Sequence, residues 1–168
     1  MKILAVQSRM GIGDTVIFLP FIKALSKKFN SPISILVKEN SKANQYLHQT
    51  KYIDKILTLE RDNKTNNRHG GFFGIFKLAN DLKKYKFDKI FIFNSSLRFN
   101  LVAKISGIPQ IYQYPLFAKN KQHIIEAPKK FLKKNLDLDI NEDPEVQIDS
   151  NLITNAAQKF QIDKNLSL

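Results

Sequence analysis

Lys2 to Phe29 reads KILAVQSRMGIGDTVIFLPFIKALSKKF. Ile3 to Val6 is a short apolar run without a polar break, the pattern of a strand covered on both faces. From Ile12 to Phe29 the residues Phe18, Phe21, Ile22, Leu25 and Phe29 recur at helical spacing, while Lys23, Lys27 and Lys28 fall on the other side. The connection between strand and helix, Ser8-Arg9-Met10-Gly11-Ile12-Gly13-Asp14, is polar and carries two glycines. A buried strand that feeds an amphipathic helix through such a loop opens a βαβ unit. At the helix start, free backbone N–H groups and the helix dipole make an anion site.

The alternation continues outward. The patterns predict a strand at Ile33 to Val37, a helix near Ser41 to Leu47 and a strand at Lys55 to Leu59. A helix follows at Phe72 to Leu82, with Phe72, Ile75, Phe76, Ala79 and Leu82 on one face. Lys89 to Phe93, KIFIF, reads as a fully buried strand. Leu97, Leu101, Val102 and Ile105 mark a helix ending at Gly107, and Ile108 to Tyr112 is a further short strand. Apolar strands separated by helices mean a parallel sheet covered on both faces and wound by right-handed crossovers. The fold class is therefore α/β, a Rossmann-like doubly wound parallel sheet of about five strands. Ligands bind such sheets at the carboxyl ends of the strands, which directs attention to the loops after Val6, Val37, Leu59 and Phe93. After Leu59, Glu60 to Gly71 (ERDNKTNNRHGG) is too long for an ordinary connection, and loops of that kind on the ligand side tend to carry function. Asp137 to Pro144 is acidic and loop-like, with an edge strand at Glu145 to Ile148 and an amphipathic helix from Asn151 to Phe160 beyond it.

Composition narrows the function. At 168 residues with 43% hydrophobic and 25% charged side chains, the chain fits one domain with a real core, not a disordered or fibrous protein. It contains no cysteine, which excludes disulfides, thiolate metal sites and a cysteine nucleophile. His48, His69 and His123 are too scattered to make a metal-ligand spacing. Lys and Arg number 27 against 15 Asp and Glu, a formal net charge of +12 that biases the molecule toward anionic partners. Most of these cations are lysines spread along the chain, as a solvated basic surface would also have. The opening MKILAVQSRM lacks the apolar core of a signal peptide. The longest apolar candidate, Val16 to Ile22, is interrupted by Pro20 and falls short of the roughly 18 residues a membrane span needs.

The first loop admits three roles. Gly11 and Gly13 fit the opening of a G-x-G-x-x-G dinucleotide cradle, but Val16 takes the third place and Asp14 puts a negative charge where a pyrophosphate would rest. Glu39, after the second strand, is the candidate ribose-binding acid in that reading. Asp14 also suits an N-cap, or a general base at the mouth of the sheet that takes the proton of a bound hydroxyl.

The run from Lys2 to Phe29 resembles the start of glycosyltransferase family 9, the bacterial ADP-heptose:lipopolysaccharide heptosyltransferases. The marker there is a Gly-Asp pair opening a helix, followed by an apolar run and a proline, positions held here by Gly13, Asp14 and Pro20. Phe87 to Arg98, FDKIFIFNSSLR, resembles the family's second landmark, a strand running into a short polar turn with a basic residue. Gly107, Ile108 and Tyr112 resemble the next turn and strand, and His123 to Glu126 resembles a His-x-x-Glu stretch at the start of a later helix. The resemblance covers Met1 to about Phe160.

It implies the GT-B architecture, in which two Rossmann-like domains face each other across a cleft. Residues 1–150 would then be the acceptor-side, amino-terminal domain, and 151–168 a linker helix toward a carboxyl-terminal donor-binding domain that this chain lacks. Leu152, Ile153 and Phe160 would in that case lie on exposed apolar surface. Carried onto this chain, Asp14 would be the general base of an inverting, metal-independent transfer from a nucleotide sugar. Gly11, Gly13, Arg98, Arg61, Lys64 and Arg68 would bind substrate, the arginines through the bidentate fork that suits carboxylate or phosphate. No cofactor and no metal are implied. The implied partner is an anionic lipopolysaccharide-core acceptor, with the nucleotide sugar held only by the missing domain and no nucleic acid involved. The chain would work in the cytoplasm, with a peripheral contact to the inner face of the inner membrane left open by its charge. Without its donor half it would be inactive. The alternative is a non-catalytic Rossmann-like or flavodoxin-like module that holds an anionic saccharide or nucleotide.

Overall fold

A computed structural model describes residues 1–8, 11–61, 67–116 and 124–146, together with 154, 155 and 159. In chain order the elements are β1 (Ile3–Val6), α1 (Ile12–Phe29), β2 (Ile33–Lys38), a 3-10 turn (Glu39–Ser41), α2 (Ala43–Tyr46), β3 (Ile53–Leu59), α3 (Phe73–Lys83), β4 (Lys89–Ile92), α4 (Leu97–Ile105), β5 (Gln110–Gln113) and α5 (Glu126–Leu136). The five strands form one sheet in the order β3-β2-β1-β4-β5, and every neighbouring pair is parallel. Ile3 of the central strand pairs with Ile33 on one side and Lys89 on the other. This is the doubly wound α/β sheet that the apolar runs predict.

Alternation along each strand assigns its side chains to one of two helical layers. Ile3, Ala5, Ile35, Phe91 and Phe93 join a core with α1 and α5. Leu4, Val6, Leu36, Ile90 and Ile92 join a second core with α3 and α4. In the first, Phe93 meets Phe18 and Phe131 edge-on at ring separations of 5.3 and 5.4 Å, the geometry that aromatic quadrupoles prefer. Pro20 is buried in mid-α1, where it removes one backbone donor from the helix. Asn30 closes α1 and Asp137 closes α5, both in the left-handed conformation.

Beyond α5 the chain turns back along α1. Ile140 enters the core, and Glu142 pairs with Lys23 at 3.2 Å and more tightly with Lys27. Hydrogen bonds from Lys27 and then Lys23 hold the Glu142 carboxyl below its ordinary range, and Glu142 in turn raises Lys23. Burial, reinforced by the Glu145 and Glu142 charges, pushes the Tyr52 hydroxyl up to about 12.

Several boundaries differ from the sequence expectation. β3 begins at Ile53, because its partner is Ile33 and the Asp54-Lys55 pair is merely the exposed stretch of an edge strand. β4 ends at Ile92. Ile108 belongs to the end of α4 and not to β5. Gly107, at φ 75, lets the Ile108 N–H return to the Ala103 carbonyl at 3.1 Å, and pairing resumes at Gln110. On α3 the inward stripe is Ile75, Leu78, Ala79 and Leu82, whereas Phe72 and Phe76 point outward. The cause is Gly74, which lies against the His69 backbone so closely that it sets the helix's rotation. Glu145 and Val146 are not in a strand, and 147–148 lie outside the described residues. Of the helix expected at 151–160, residues 154, 155 and 159 are helical, while Leu152, Ile153 and Phe160 lie outside the description.

Candidate functional site

The strand order places the topological switch between β1 and β4, from which the chain departs to opposite faces into α1 and α4. Above β1, the Gln7 side chain is buried and its Nε2 donates to the Asp14 backbone carbonyl at 3.3 Å. Gly11 precedes the helix at φ 105, a conformation that L side chains avoid, and no side chain caps the helix there. Thr15 instead donates its hydroxyl back to the Gly11 carbonyl at 3.0 Å. Gly13 is exposed with open space around its Cα.

Asp14 is the third residue of the helix, so the N-cap role fails: Gly11 occupies that position. Its carboxylate lies in the first turn, where the helix dipole favours negative charge. Asp14 is half-buried, and among the described residues its carboxylate engages in neither a hydrogen bond nor an ion pair.

The β4–α4 turn faces this loop. Asn94 donates to the Ser8 hydroxyl at 2.6 Å and accepts from the Ser96 N–H at 2.7 Å, and the Ser96 hydroxyl caps α4 by accepting from the Arg98 N–H. From β5, Gln113 donates to the carbonyls of Asn94 and Ser96 at 3.0 and 2.9 Å and accepts from Asn100 at 2.9 Å. The carboxyl ends of β1, β4 and β5 are thus tied into one polar frame. Sequence reading picked out Asn94 and Ser96 as a turn but missed Gln113 and Asn100. The available signal was a second glutamine closing a short strand whose middle is Ile111-Tyr112.

The third contributor is the connection from β3 to α3. His69 is buried; its Nδ1 accepts from the Glu60 N–H at 3.0 Å, which leaves the proton on Nε2 to be donated to Asp81 at 3.1 Å. Its own backbone N–H donates to the Glu60 carbonyl at 2.8 Å. The Arg98 guanidinium reaches across from α4 and donates to the Gly71 carbonyl at 2.7 Å and to the His69 carbonyl. Sequence reading treated His69 as one of three scattered histidines; it is the anchor of this connection.

The predicted site residues are therefore distributed unevenly. Gly11, Gly13, Asp14 and Arg98 gather at the helix starts that flank the switch point, with part of the Arg98 fork engaged by backbone. Arg61 is half-buried just after β3, on the same sheet edge but at its outer end. Arg68 is paired with Asp81 of α3 at 2.8 Å. Lys64 and His123 lie outside the described residues. Glu39 opens the 3-10 turn after β2, beside a cleft of about 170 Å³ that it lines with Lys38, Lys42, Asn44 and Thr58. Among the described residues no group of three or more His, Asp or Glu side chains could hold a metal ion, and no helix is long and apolar enough to cross a membrane.

No protein-family model and no curated protein matches the sequence. Solved structures do match. A glycosyltransferase of family 9 from Veillonella parvula DSM 2008 superposes with a TM-score of 0.72 at 19% identity, covering 99% of this chain and 50% of that one. The ADP-heptose lps heptosyltransferase II of E. coli gives 0.63 at 15% identity, covering 98% and 52%. The E. coli heptosyltransferase WaaC with ADP-2-deoxy-2-fluoro heptose gives 0.56 at 13% identity, covering 84% and 50%. At these identities the likeness establishes the fold: a Rossmann-like domain of the kind found in GT-B glycosyltransferases. The chain spans about half the length of the proteins it matches.

Proposed function

We propose that the chain is the amino-terminal, acceptor-binding half of a glycosyltransferase resembling the lipopolysaccharide heptosyltransferases, working at the cytoplasmic face of the membrane that carries its acceptor. The observation that carries this reading is Asp14, a half-buried carboxylate with no partner among the described residues, on the first turn of the helix beside the switch point. The shared fold with half of two heptosyltransferases supports that class of reaction.

In this reading a hydroxyl of an anionic saccharide lies against Asp14. The carboxylate takes the hydroxyl proton as the oxygen attacks the anomeric carbon of the nucleotide sugar. The bond from that carbon to the diphosphate breaks, the electron pair leaves with the nucleoside diphosphate, and the anomeric centre inverts. Asp14 then releases its proton to solvent. In this reading the donor is held by a second domain, and the residues of this chain hold the acceptor. Arg61 and Arg98 supply positive charge to the acceptor's acidic groups.

Calorimetric titration of the purified chain tests the reading. An acidic inner-core saccharide is expected to bind, while ADP and an ADP-sugar produce no heat. Tight nucleotide binding by this chain alone would overturn the proposal. It would favour the non-catalytic module instead, with its anion site at the uncapped start of α1.

A further inference from the structure

The outer surface of the α3–α4 layer has a composition unlike the rest of the molecule. The two helices lie side by side over one face of the sheet, joined where the Ser106 hydroxyl donates to the Ala79 carbonyl at 3.1 Å. On their solvent side Phe72 and Phe73 are 69% and 77% exposed, and Phe76 is exposed beside them. Phe72 meets Phe73 and Phe76 at ring separations of 6.0 and 5.7 Å, so the three form one cluster. Leu97, Leu101 and Ile105 extend the apolar surface along α4. A soluble surface scatters such residues singly; a contiguous set marks an interaction face.

The charge around it indicates the occupant. Asp81 is the only acidic residue on α3 or α4, and it is turned to Arg68 and His69. Lys77, Lys83 and Lys104 are exposed and form no ion pair among the described residues. On the opposite layer Lys23 and Lys27 pair with Glu142 and Lys133 with Asp137 and Asp139, while Lys28, Lys130 and Lys134 are exposed without an ion pair among the described residues; what sets the α3–α4 face apart is that its lysines flank an exposed aromatic cluster. Unpaired cations rimming an aromatic cluster complement a surface that is anionic at its face and apolar just beneath, which describes a bilayer rich in acidic lipid.

We propose that the α3–α4 face docks on an anionic membrane surface, with Phe72, Phe73 and Phe76 entering the headgroup boundary and Lys77 and Lys104 meeting lipid phosphates. This surface stands independently of the transferase reading. If both hold, the Gly70-Gly71 turn that leads into α3 lies beside the bilayer that presents the acceptor.

The full chain is tested by co-sedimentation with vesicles of phosphatidylglycerol and phosphatidylcholine, against vesicles of phosphatidylcholine alone. Binding is expected only to the acidic vesicles. It should fall at least about tenfold in the Phe72→Ser/Phe73→Ser/Phe76→Ser variant and again in Lys77→Gln/Lys104→Gln. Lys28→Gln/Lys134→Gln, which removes the same charge from the other layer, should leave it unchanged, and the thermal midpoints of all variants are read alongside. The proposal is overturned if the phenylalanine variant binds as well as the parent, since net charge alone then suffices. It is equally overturned if the parent ignores the vesicles and forms a concentration-dependent dimer that the phenylalanine variant loses, since a second copy then owns the face.

Discussion

At the scale of single residues, two nearby glycines separate packing from conformation. A Cβ on Gly74 would lie 2.3 and 2.4 Å from the carbonyl carbon and oxygen of His69, backbone atoms that cannot swing aside. A Cβ on Gly70 would meet only the tip of the Asn67 side chain, which can rotate away. Gly74→Ala should therefore cost about 1–3 kcal/mol in chemical denaturation, the range for overpacking, while Gly70→Ala stays near zero. Equal costs would show that the connection yields as a whole. Arg98→Ala releases two loop carbonyls and should lower both the thermal midpoint and saccharide affinity. For Asp14→Asn the expected stability change is below about 1 kcal/mol, since only its interaction with the helix dipole is altered. A larger loss would make the carboxylate a structural group and remove it from the proposed chemistry. Asp14 and Gly11 were legible because a glycine-bearing loop between a buried strand and a helix has few uses. His69 was not, since nothing local shows that its ring bridges Glu60 to Asp81.

Elements inherit such contacts as rotations and boundaries. Periodicity located α3 but assigned it the wrong face. Phe72, Ile75 and Phe76 share a helical stripe on paper, yet the close approach of Gly74 decides which edge turns inward. Edge strands were read less well than central ones for a related reason: β3 carries Asp54 and Lys55 on exposed backbone, and that polarity hid its start. The acidic segment after α5 is a loop, as its composition predicts, but its ion pairs with α1 depend on distance in space and not in sequence. Those pairs give it a pH window. Glu142 is depressed from its ordinary 4.5, so the stabilisation it provides is complete above that value and fades as pH falls through the lower folded value. Lys23 is raised above 10.5, so its share is complete below that and is lost as pH rises through the raised value. Hydrogen exchange across Leu138 to Glu142 should accelerate on acidification before the sheet amides do, beyond the intrinsic change in rate, and Glu142→Gln should bring that acceleration to neutral pH. Exchange that follows the sheet at every pH would show that Ile140 alone holds the segment.

For the whole molecule, fold was more legible than site. Ile3 to Val6, Ile33 to Val37 and Lys89 to Phe93 are largely apolar because both faces of the sheet are covered, and three such strands separated by helices point to a parallel α/β sheet. The frame of Asn94, Gln113 and Asn100 joins residues from one turn, one strand and one helix that meet only after the sheet has formed. The same sheet order bears on how the chain is made. The central strand gains its first neighbour when Ile33 arrives opposite Ile3, and its second only with Lys89. At roughly 5–20 residues per second, the 86 residues from Ile3 to Lys89 take about 4–17 s to emerge. Through that interval β1 presents an unpaired edge of bare N–H and C=O groups to whatever else is nearby. A nascent chain halted just before β4 should thus be degraded readily and captured by chaperones, and one halted after β5 should resist both. The crowded ribosome exit, more than the finished surface, is where this fold is most open to pairing with the wrong strand.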